Sequence, residues 1–135
     1  VNLTSRLEGQ TKAYGVDTLI SEETQRRAPE FAVVELDLLR VKGKREPARI
    51  FALMGDQNRR QDPGFAALAD AQKRFLEAYR VGHFEEALGL LGEAEAAAKA
   101  FGWQQHYYDV MRVRLGRLRD EPPAQWDGVY EATEK

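Results

Sequence analysis

The sequence predicts an α/β fold of the α+β type in residues 1–55, followed by an all-α segment in residues 56–135. Three observations support this prediction. Strand-like runs occur in the first segment, and apolar residues at helical spacing dominate the second. The polar stretch of residues 55–62 separates the two segments as a candidate linker.

The first segment begins with a predicted helix, a short strand and a second helix. Residues 1–14 carry apolar side chains at helical spacing, and Gly15 is a suitable helix stop. Residues 16–20 include β-branched side chains typical of a strand. Ser21 is a candidate N-cap for a short helix that places glutamates first and arginines last, as the helix dipole favours, and Pro29 ends it.

Two further strands complete the predicted first segment. They cover residues 31–41 and 48–54, where apolar and polar side chains mix. The basic stretch of residues 42–47 between them contains Gly43 and Pro47, which favour a turn, so we expect a hairpin. Because a dense basic loop occurs only in the first segment of the sequence, any chemistry on a phosphate group is expected in that segment.

Three helices are expected in the second segment. Asp62 is a candidate N-cap, with Pro63 at the first helical position. Three apolar stripes follow, separated by Gly82 and Gly102, and the third ends before the Pro122–Pro123 pair. The stripes comprise Phe65, Leu68, Phe75, Leu76 and Tyr79; Phe84, Ala87, Leu88, Leu91, Ala94 and Ala98; and Tyr107 or Tyr108, Met111, Leu115 and Leu118.

The composition excludes several classes of function. The chain has 20 Lys and Arg against 22 Asp and Glu, a formal net charge of -2, which gives no electrostatic case for binding nucleic acid or an anionic membrane. The absence of cysteine excludes thiolate metal sites and suits a cytoplasmic location. No apolar run approaches the roughly 20 residues of a membrane span, so no membrane contact is expected. His83 and His106 have no partners at metal-ligand spacing and are expected in a turn and on a helix surface.

Several motifs occur in order along the first 55 residues. They are Val1-Asn2-Leu3-Thr4-Ser5-Arg6-Leu7-Glu8, Tyr14-Gly15-Val16, Ile20-Ser21-Glu22-Glu23-Thr24, Val41-Lys42-Gly43-Lys44 and Glu46-Pro47-Ala48-Arg49-Ile50-Phe51. The first is similar to the Val-Asn-x-Ala-Ser-Arg-Leu-Glu signature of the class III adenylate and guanylate cyclases, with Thr4 in place of alanine. The ordered set resembles that family, which implies that residues 1–55 are the C-terminal remnant of a ferredoxin-like cyclase domain.

The resemblance implies roles for three residues. Asn2 would orient the nucleotide at its ribose, Arg6 would stabilise the α-phosphate, and Lys42 would contact the terminal phosphates. The chemistry suits these residue types, because the ribose 3′ oxygen attacks the α-phosphorus and negative charge shifts on the phosphate oxygens as pyrophosphate leaves. A guanidinium stabilises that charge, and an amide helps to hold the attacking oxygen in line. Asn2 and Arg6 are four residues apart and share one helix face.

The family also implies what this chain lacks. Its two metal-binding aspartates and its purine-selecting residues lie upstream of the signature, at positions that this sequence does not contain. The parent enzyme is expected to convert ATP into cyclic AMP and pyrophosphate with two Mg²⁺ or Mn²⁺ ions, as a homodimer whose active sites form head to tail. The chain opens without methionine inside a helical pattern, so we expect it to be a fragment. Because the metal-binding aspartates are missing, we expect this fragment to bind no cofactor and to make no cyclic nucleotide alone.

The helical segment permits another interpretation. Residues 78–88 resemble the turn and second helix of a tetratricopeptide-type repeat, although repeat arrays usually need about three units to be stable. We expect this segment to pack against the cyclase core or to make a dimer contact, with residues 126–130 as a turn that docks its aromatic side chains. The alternative is a helical protein-interaction or dimerisation module with residues 1–55 as a relic, and a third possibility is edge pairing of the strands with another chain.

Overall fold

A computed structural model describes residues 11, 13–40 and 45–131. Over these ranges the chain is an α+β protein, as the sequence predicts. Its strands are β1 (Leu19–Ser21), β2 (Ala32–Arg40), β3 (Ala48–Gly55) and β4 (Tyr130–Glu131). Its short helices are α1 (Glu22–Arg27) and α2 (Gln57–Arg60), and its long helices are α3 (Pro63–Arg80), α4 (Phe84–Phe101) and α5 (Tyr107–Asp120). Thr11, Ala13 and Tyr14 are also helical and precede a glycine with positive φ, Gly15.

The strands form one mixed sheet with the order β1-β3-β2-β4. The pairs β1–β3 and β2–β3 are antiparallel, so the predicted hairpin between the second and third strands is confirmed. Strand β4 runs parallel to the end of β2 and pairs Tyr130 with Leu39 and Glu131 with Arg40. Strand β4 therefore lies beside the C-terminal end of β2. Residues 41–44, which follow β2, are outside the described residues.

A register irregularity in β2 changes which side chains are buried. The pairing with β3 shifts between Glu35 and Asp37, and the consecutive residues Leu36 and Asp37 are both fully buried. In a regular strand, successive side chains point to opposite faces, so an extra residue is needed to bury two in a row. The bulge brings a carboxylate to the side of the sheet that the helices cover.

The helices pack on the sheet through one hydrophobic core. Buried side chains of β2 and β3, such as Val34 and Ile50, belong to the same cluster as Phe75, Leu91 and Met111 from the three long helices. The predicted apolar stripes are confirmed, since their members are buried or partly buried in this cluster. The helices and the sheet therefore share one core across the expected boundary at residue 55, and strand β4 returns to the sheet from the segment expected to be all-α. The division into two domains stays a prediction.

Some local predictions differ from the structure. The expected linker contains helix α2, because the Asp56 side chain accepts the Arg59 N–H as an N-cap. The expected strand over residues 16–20 begins only at Leu19, and strand β4 was not expected. The N-caps Ser21 and Asp62 are confirmed. None of the helices within the described ranges is both long enough and apolar enough to cross a membrane.

Candidate functional site

The three residues to which the sequence assigns catalysis or phosphate binding lie outside the described parts of the chain. They are Asn2, Arg6 and Lys42. The structure therefore does not test whether their side chains converge. It does describe the two elements that lead to them: the end of the first helix at Tyr14, and strand β2 up to Arg40.

Those two elements meet at a buried carboxylate. The Tyr14 hydroxyl donates a 2.6 Å hydrogen bond to Asp37 Oδ2, and Arg114 Nη1 on α5 lies 2.6 Å from the same oxygen. The Leu38 N–H donates to the other oxygen, Asp37 Oδ1, at 2.8 Å. Asp37 is fully buried, and the Arg114 side chain is 11% exposed. Both carboxylate oxygens thus have donors, which a buried anion requires.

The Arg114 guanidinium also contacts the third helix and the last strand. Its Nη1 donates to the Tyr79 hydroxyl at 3.1 Å, and its Cζ lies 3.5 Å from the centroid of the Tyr130 ring. We call Tyr14, Asp37, Tyr79, Arg114 and Tyr130 the Asp37 cluster. It joins the first helix, β2, α3, α5 and the residue that opens β4 through one charged pair.

A second set of polar contacts covers the backbone of the bulge. The Tyr107 hydroxyl donates to the Leu36 carbonyl at 2.7 Å, and Gln72 Nε2 donates to the Glu35 carbonyl at 3.1 Å. Gln72 Nε2 also lies 3.0 Å from the Tyr107 hydroxyl, and Gln72 Oε1 accepts from Tyr108 at 3.3 Å. These side chains satisfy carbonyl groups near the interrupted ladder, so the helices fix the bulge in place.

The environment of the buried tyrosines and of Arg114 shifts their pKa values. Burial, and then the negative charge of Asp37, raises the pKa of Tyr14, Tyr79 and Tyr107 above the usual value of a tyrosine. Burial by itself would lower the pKa of Arg114, but Asp37 and the tyrosines outweigh that effect and raise it. The hydroxyls therefore stay protonated as donors, and the guanidinium stays charged.

A second charged cluster lies on β2 at Glu35. Arg80 Nη2 and Arg49 Nη1 lie 2.5 and 2.8 Å from Glu35 Oε2. Arg80 Nε is buried and has no hydrogen-bond partner among the residues that the structure describes. A groove of about 390 Å³ runs along this side of α3, and its lining includes Val33, Leu76 and Arg80. The same groove is also lined by polar side chains, including Gln72 and Glu77.

The polar clusters of the described residues join separate elements of the fold. No group of three or more His, Asp or Glu that could hold a metal occurs within the described ranges. His83 precedes α4, and His106 precedes α5 with its side chain 89% exposed. The Asp37 carboxylate is fully buried, and Tyr14, Arg114 and the Leu38 N–H donate to its two oxygens. Its chemical effect is to hold elements in register.

Sequence reasoning missed both charged members of this cluster. Asp37 follows Glu35 at the polar phase of an alternating strand, so its burial depends on the bulge. Arg114 carried a usable signal, because it falls three residues after Met111 and one before Leu115 on the apolar face of α5. An arginine on an apolar helix face indicates a buried acidic partner.

Comparisons with protein-family models, with curated proteins and with solved structures find no match to this chain.

Proposed function

We propose that this chain is the C-terminal part of a cytoplasmic class III nucleotide cyclase that acts on ATP. In this proposal Asn2 orients the ribose, Arg6 stabilises the α-phosphate and Lys42 contacts the terminal phosphates. Two Mg²⁺ or Mn²⁺ ions, held by aspartates of the full-length homodimer, supply the rest of the transition-state stabilisation. The proposal depends on the ordered motifs of residues 1–55.

One structural observation gives it the most support: the hydrogen bond from Tyr14 to Asp37. The bond joins the segment that follows Asn2 and Arg6 in the sequence to the strand that precedes Lys42. The two parts of the chain that carry the cyclase motifs are therefore tied to one buried contact.

The ends of the loop that contains Lys42 are held close together. Arg40, the last residue of β2, donates from Nε to the Arg45 carbonyl at 2.9 Å. Its Nη1 also bonds to Glu131 of β4, so the Arg40 charge is neutralised within the chain. This arrangement supports Lys42, and not Arg40, as the phosphate contact.

The alternative function, a helical interaction or dimerisation module, receives less support. A binding module needs an apolar surface that is free for its partner. The apolar faces of α3, α4 and α5 belong to the core that they share with the sheet. Among the described residues, the large apolar side chains that are exposed on or beside these helices are Val81 and Val113. Two valines that lie 32 residues apart in the sequence give no sign of a continuous exposed apolar patch on the described helices.

The experiment is a cyclase assay on the full-length protein that contains this segment, with ATP and GTP side by side and with Mg²⁺ and Mn²⁺. Replacing Arg6 by alanine should lower turnover by about 100-fold or more, because it removes a charge that acts on the transition state. The matched control is Arg26→Ala, which removes an exposed arginine that pairs with Glu22 at 3.2 Å. Full activity in Arg6→Ala would contradict the proposal, as would metal-dependent turnover by the isolated 135-residue chain.

A further inference from the structure

We infer that the open edge of strand β2, together with the side of helix α3 next to it, is a contact surface for a second copy of this chain. The second copy would add its own β2 in antiparallel orientation across a two-fold axis, which joins the two sheets into one. This contact is independent of the proposed cyclase activity, because residues 33–35 and 69–80, which form the surface, lie outside the cyclase motifs.

The first observation is that the sheet leaves one edge of β2 open over part of its length. Within the described ranges, β4 pairs with this edge only at Leu39 and Arg40. On its other edge, β2 pairs in regular register with β3 at Val33, Val34 and Glu35. The part of β2 before the bulge is therefore an edge strand, which can pair with a strand of another chain.

The backbone groups at this edge point away from β3. The Glu35 carbonyl accepts a hydrogen bond from Gln72 of α3 at 3.1 Å, so it is directed to the open side of β2. In an antiparallel pair, the N–H and C=O of one residue point to the same side, and the residue two positions away repeats that direction. The N–H of Glu35 and both backbone groups of Val33 are therefore directed to a strand laid along this edge.

The groove beside this edge is long enough for an extended segment. It has a volume of about 390 Å³ and lies between residues 33–35 of β2 and one side of α3. About three turns of the helix line it, with the side chains of Ala69, Gln72, Lys73, Leu76, Glu77 and Arg80. A strand in this position would bond to the backbone of β2 and contact α3 with its side chains, as in other cases of strand addition.

The charges on the rim of the groove favour a copy of this chain as the occupant. Lys73 and Glu77 are exposed, lie four residues apart on α3, and form no ion pair with any residue that the structure describes. A two-fold axis makes α3 of the second copy antiparallel to this one, so Lys73 can meet Glu77 of the second copy, and Glu77 its Lys73. Each opposite-charge contact then occurs twice, as a self-complementary interface requires.

The remaining charges do not oppose this contact. A charged side chain at a sheet edge commonly prevents pairing, and Glu35 is such a residue. However, Arg80 Nη2 and Arg49 Nη1 lie 2.5 and 2.8 Å from Glu35 Oε2, so its charge is compensated within the chain. With the axis at Val34, Glu35 lies opposite Val33 of the second copy and not opposite another carboxylate. Because only about five residues pair, we expect a weak dimer that depends on concentration.

The test measures the dimer dissociation constant of the 135-residue chain by sedimentation equilibrium between about 10 and 1,000 µM. Lys73→Glu and Glu77→Lys should each raise the constant about tenfold, because each turns two attractive contacts into two like-charge contacts. The matched control is Lys99→Glu, which reverses an exposed charge of α4 away from the groove and should leave the constant unchanged.

Two combinations separate a direct contact from a general effect of charge. The double variant Lys73→Glu/Glu77→Lys exchanges the two charges and should recover the wild-type dissociation constant. A mixture of the Lys73→Glu chain with the Glu77→Lys chain should form mixed dimers more tightly than either variant forms its own dimer, because every contact across the axis is then attractive.

Hydrogen exchange of the wild-type chain examines the strand edge itself. The amides of Val33 and Glu35 should exchange about tenfold more slowly at a concentration where most chains are dimers than in dilute solution. The Val34 amide faces β3 by the same alternation, so its exchange should not depend on concentration in this way.

The outcomes are distinct. A chain that stays monomeric up to about 1,000 µM would overturn the inference and leave the groove to a strand of another protein. A dimer with the same dissociation constant in all variants, or without protection at Val33 and Glu35, would overturn it as well and place the contact on another surface. None of these measurements uses a nucleotide, so the result does not depend on whether the proposed cyclase activity is found.

Discussion

Arg114 Nη1 lies 2.6 Å from Asp37 Oδ2, across 77 residues of sequence, and the carboxylate that it contacts is completely buried. The pair joins the last long helix to the bulge of the central strand β2. Because both partners are largely removed from solvent, the energetic effect of the pair is tested by removing one charge and then both.

Replacing Arg114 by methionine should lower the free energy of unfolding by about 3–5 kcal/mol, because Asp37 remains buried without its cation. The double variant Asp37→Asn/Arg114→Met removes both charges and should lose less than Arg114→Met alone. Urea unfolding followed by circular dichroism measures the wild type, Asp37→Asn, Arg114→Met and the double variant.

Arg112→Met is the control for this series. Arg112 lies on the same helix and pairs with Glu95 at 2.5 Å, but its side chain is 43% exposed. Its loss should change the free energy of unfolding by only about 0–1 kcal/mol. Equal losses for Arg112→Met and Arg114→Met would contradict the buried-pair interpretation.

Stability should fall steeply in alkaline solution. Burial raises the pKa of Tyr14, Tyr79, Tyr107 and Tyr108 in the folded chain. The unfolded tyrosines titrate near pH 10, so above that pH the unfolded state binds fewer protons than the folded state. The stabilising effect is therefore complete below about pH 10 and is lost as the pH rises, by up to about 1.4 kcal/mol per pH unit for each tyrosine.

Urea unfolding at about pH 8, 10 and 11, with tyrosinate absorbance as a second probe, measures this effect. Tyr108→Phe should make the fall of the unfolding free energy per pH unit smaller, by the contribution of one tyrosine. A free energy of unfolding that stays constant up to about pH 11 would show that the hydroxyls ionise without unfolding.

The α+β class and the longer elements were readable from the sequence because they follow local rules. The cap at Asp62, the turn at Gly82 and the stripes of the three long helices depend on neighbours a few residues away. The Asp37 cluster was not readable, since the bulge that buries Asp37 depends on the pairing of β2 with β3. Strand β4 has only two residues, and a parallel pair over so short a run leaves no periodic pattern.

The roles of Asn2, Arg6 and Lys42 stay predictions, because all three lie outside the described residues. Their assignment came from a family resemblance and not from the physical pattern. An asparagine and an arginine four residues apart are common on solvated helices. Only a ligand, or activity, distinguishes that arrangement from a site.

Two glycines should respond to alanine in opposite directions. Gly82 joins α3 to α4 with φ +87°, a conformation that is strained for any residue with a β-carbon. Gly82→Ala should therefore lower the free energy of unfolding by about 1–2 kcal/mol. Gly92 is exposed inside α4, and a β-carbon at this position would meet no side chain of the described residues within 4 Å beyond its own chain neighbours, so Gly92→Ala should raise the free energy of unfolding by about 0.5–1 kcal/mol. Thermal unfolding of both variants checks the signs, and a stabilising Gly82→Ala would contradict the role of the turn.

The C-terminal segment should detach from the helices if Trp126 is truncated. Trp126 Nε1 donates to the Tyr79 carbonyl at 3.0 Å, and its ring lies 5.3 Å from that of Tyr79 and 5.5 Å from that of Phe84. Trp126→Phe removes the hydrogen bond and should lower the free energy of unfolding by about 1–2 kcal/mol. Trp126→Ala also removes the aromatic packing and should lose about 3 kcal/mol or more.

Fluorescence can show whether this segment unfolds together with the rest of the chain. The sequence contains two tryptophans, so in Trp103→Phe the remaining emission comes from Trp126 alone. Because Trp126 contacts Tyr79, whose side chain is fully buried in the common core, its emission should change at the same urea concentration as the circular dichroism signal. An earlier change in emission would mean that the segment opens first, and that Tyr130 leaves Arg114 while the helices are still folded.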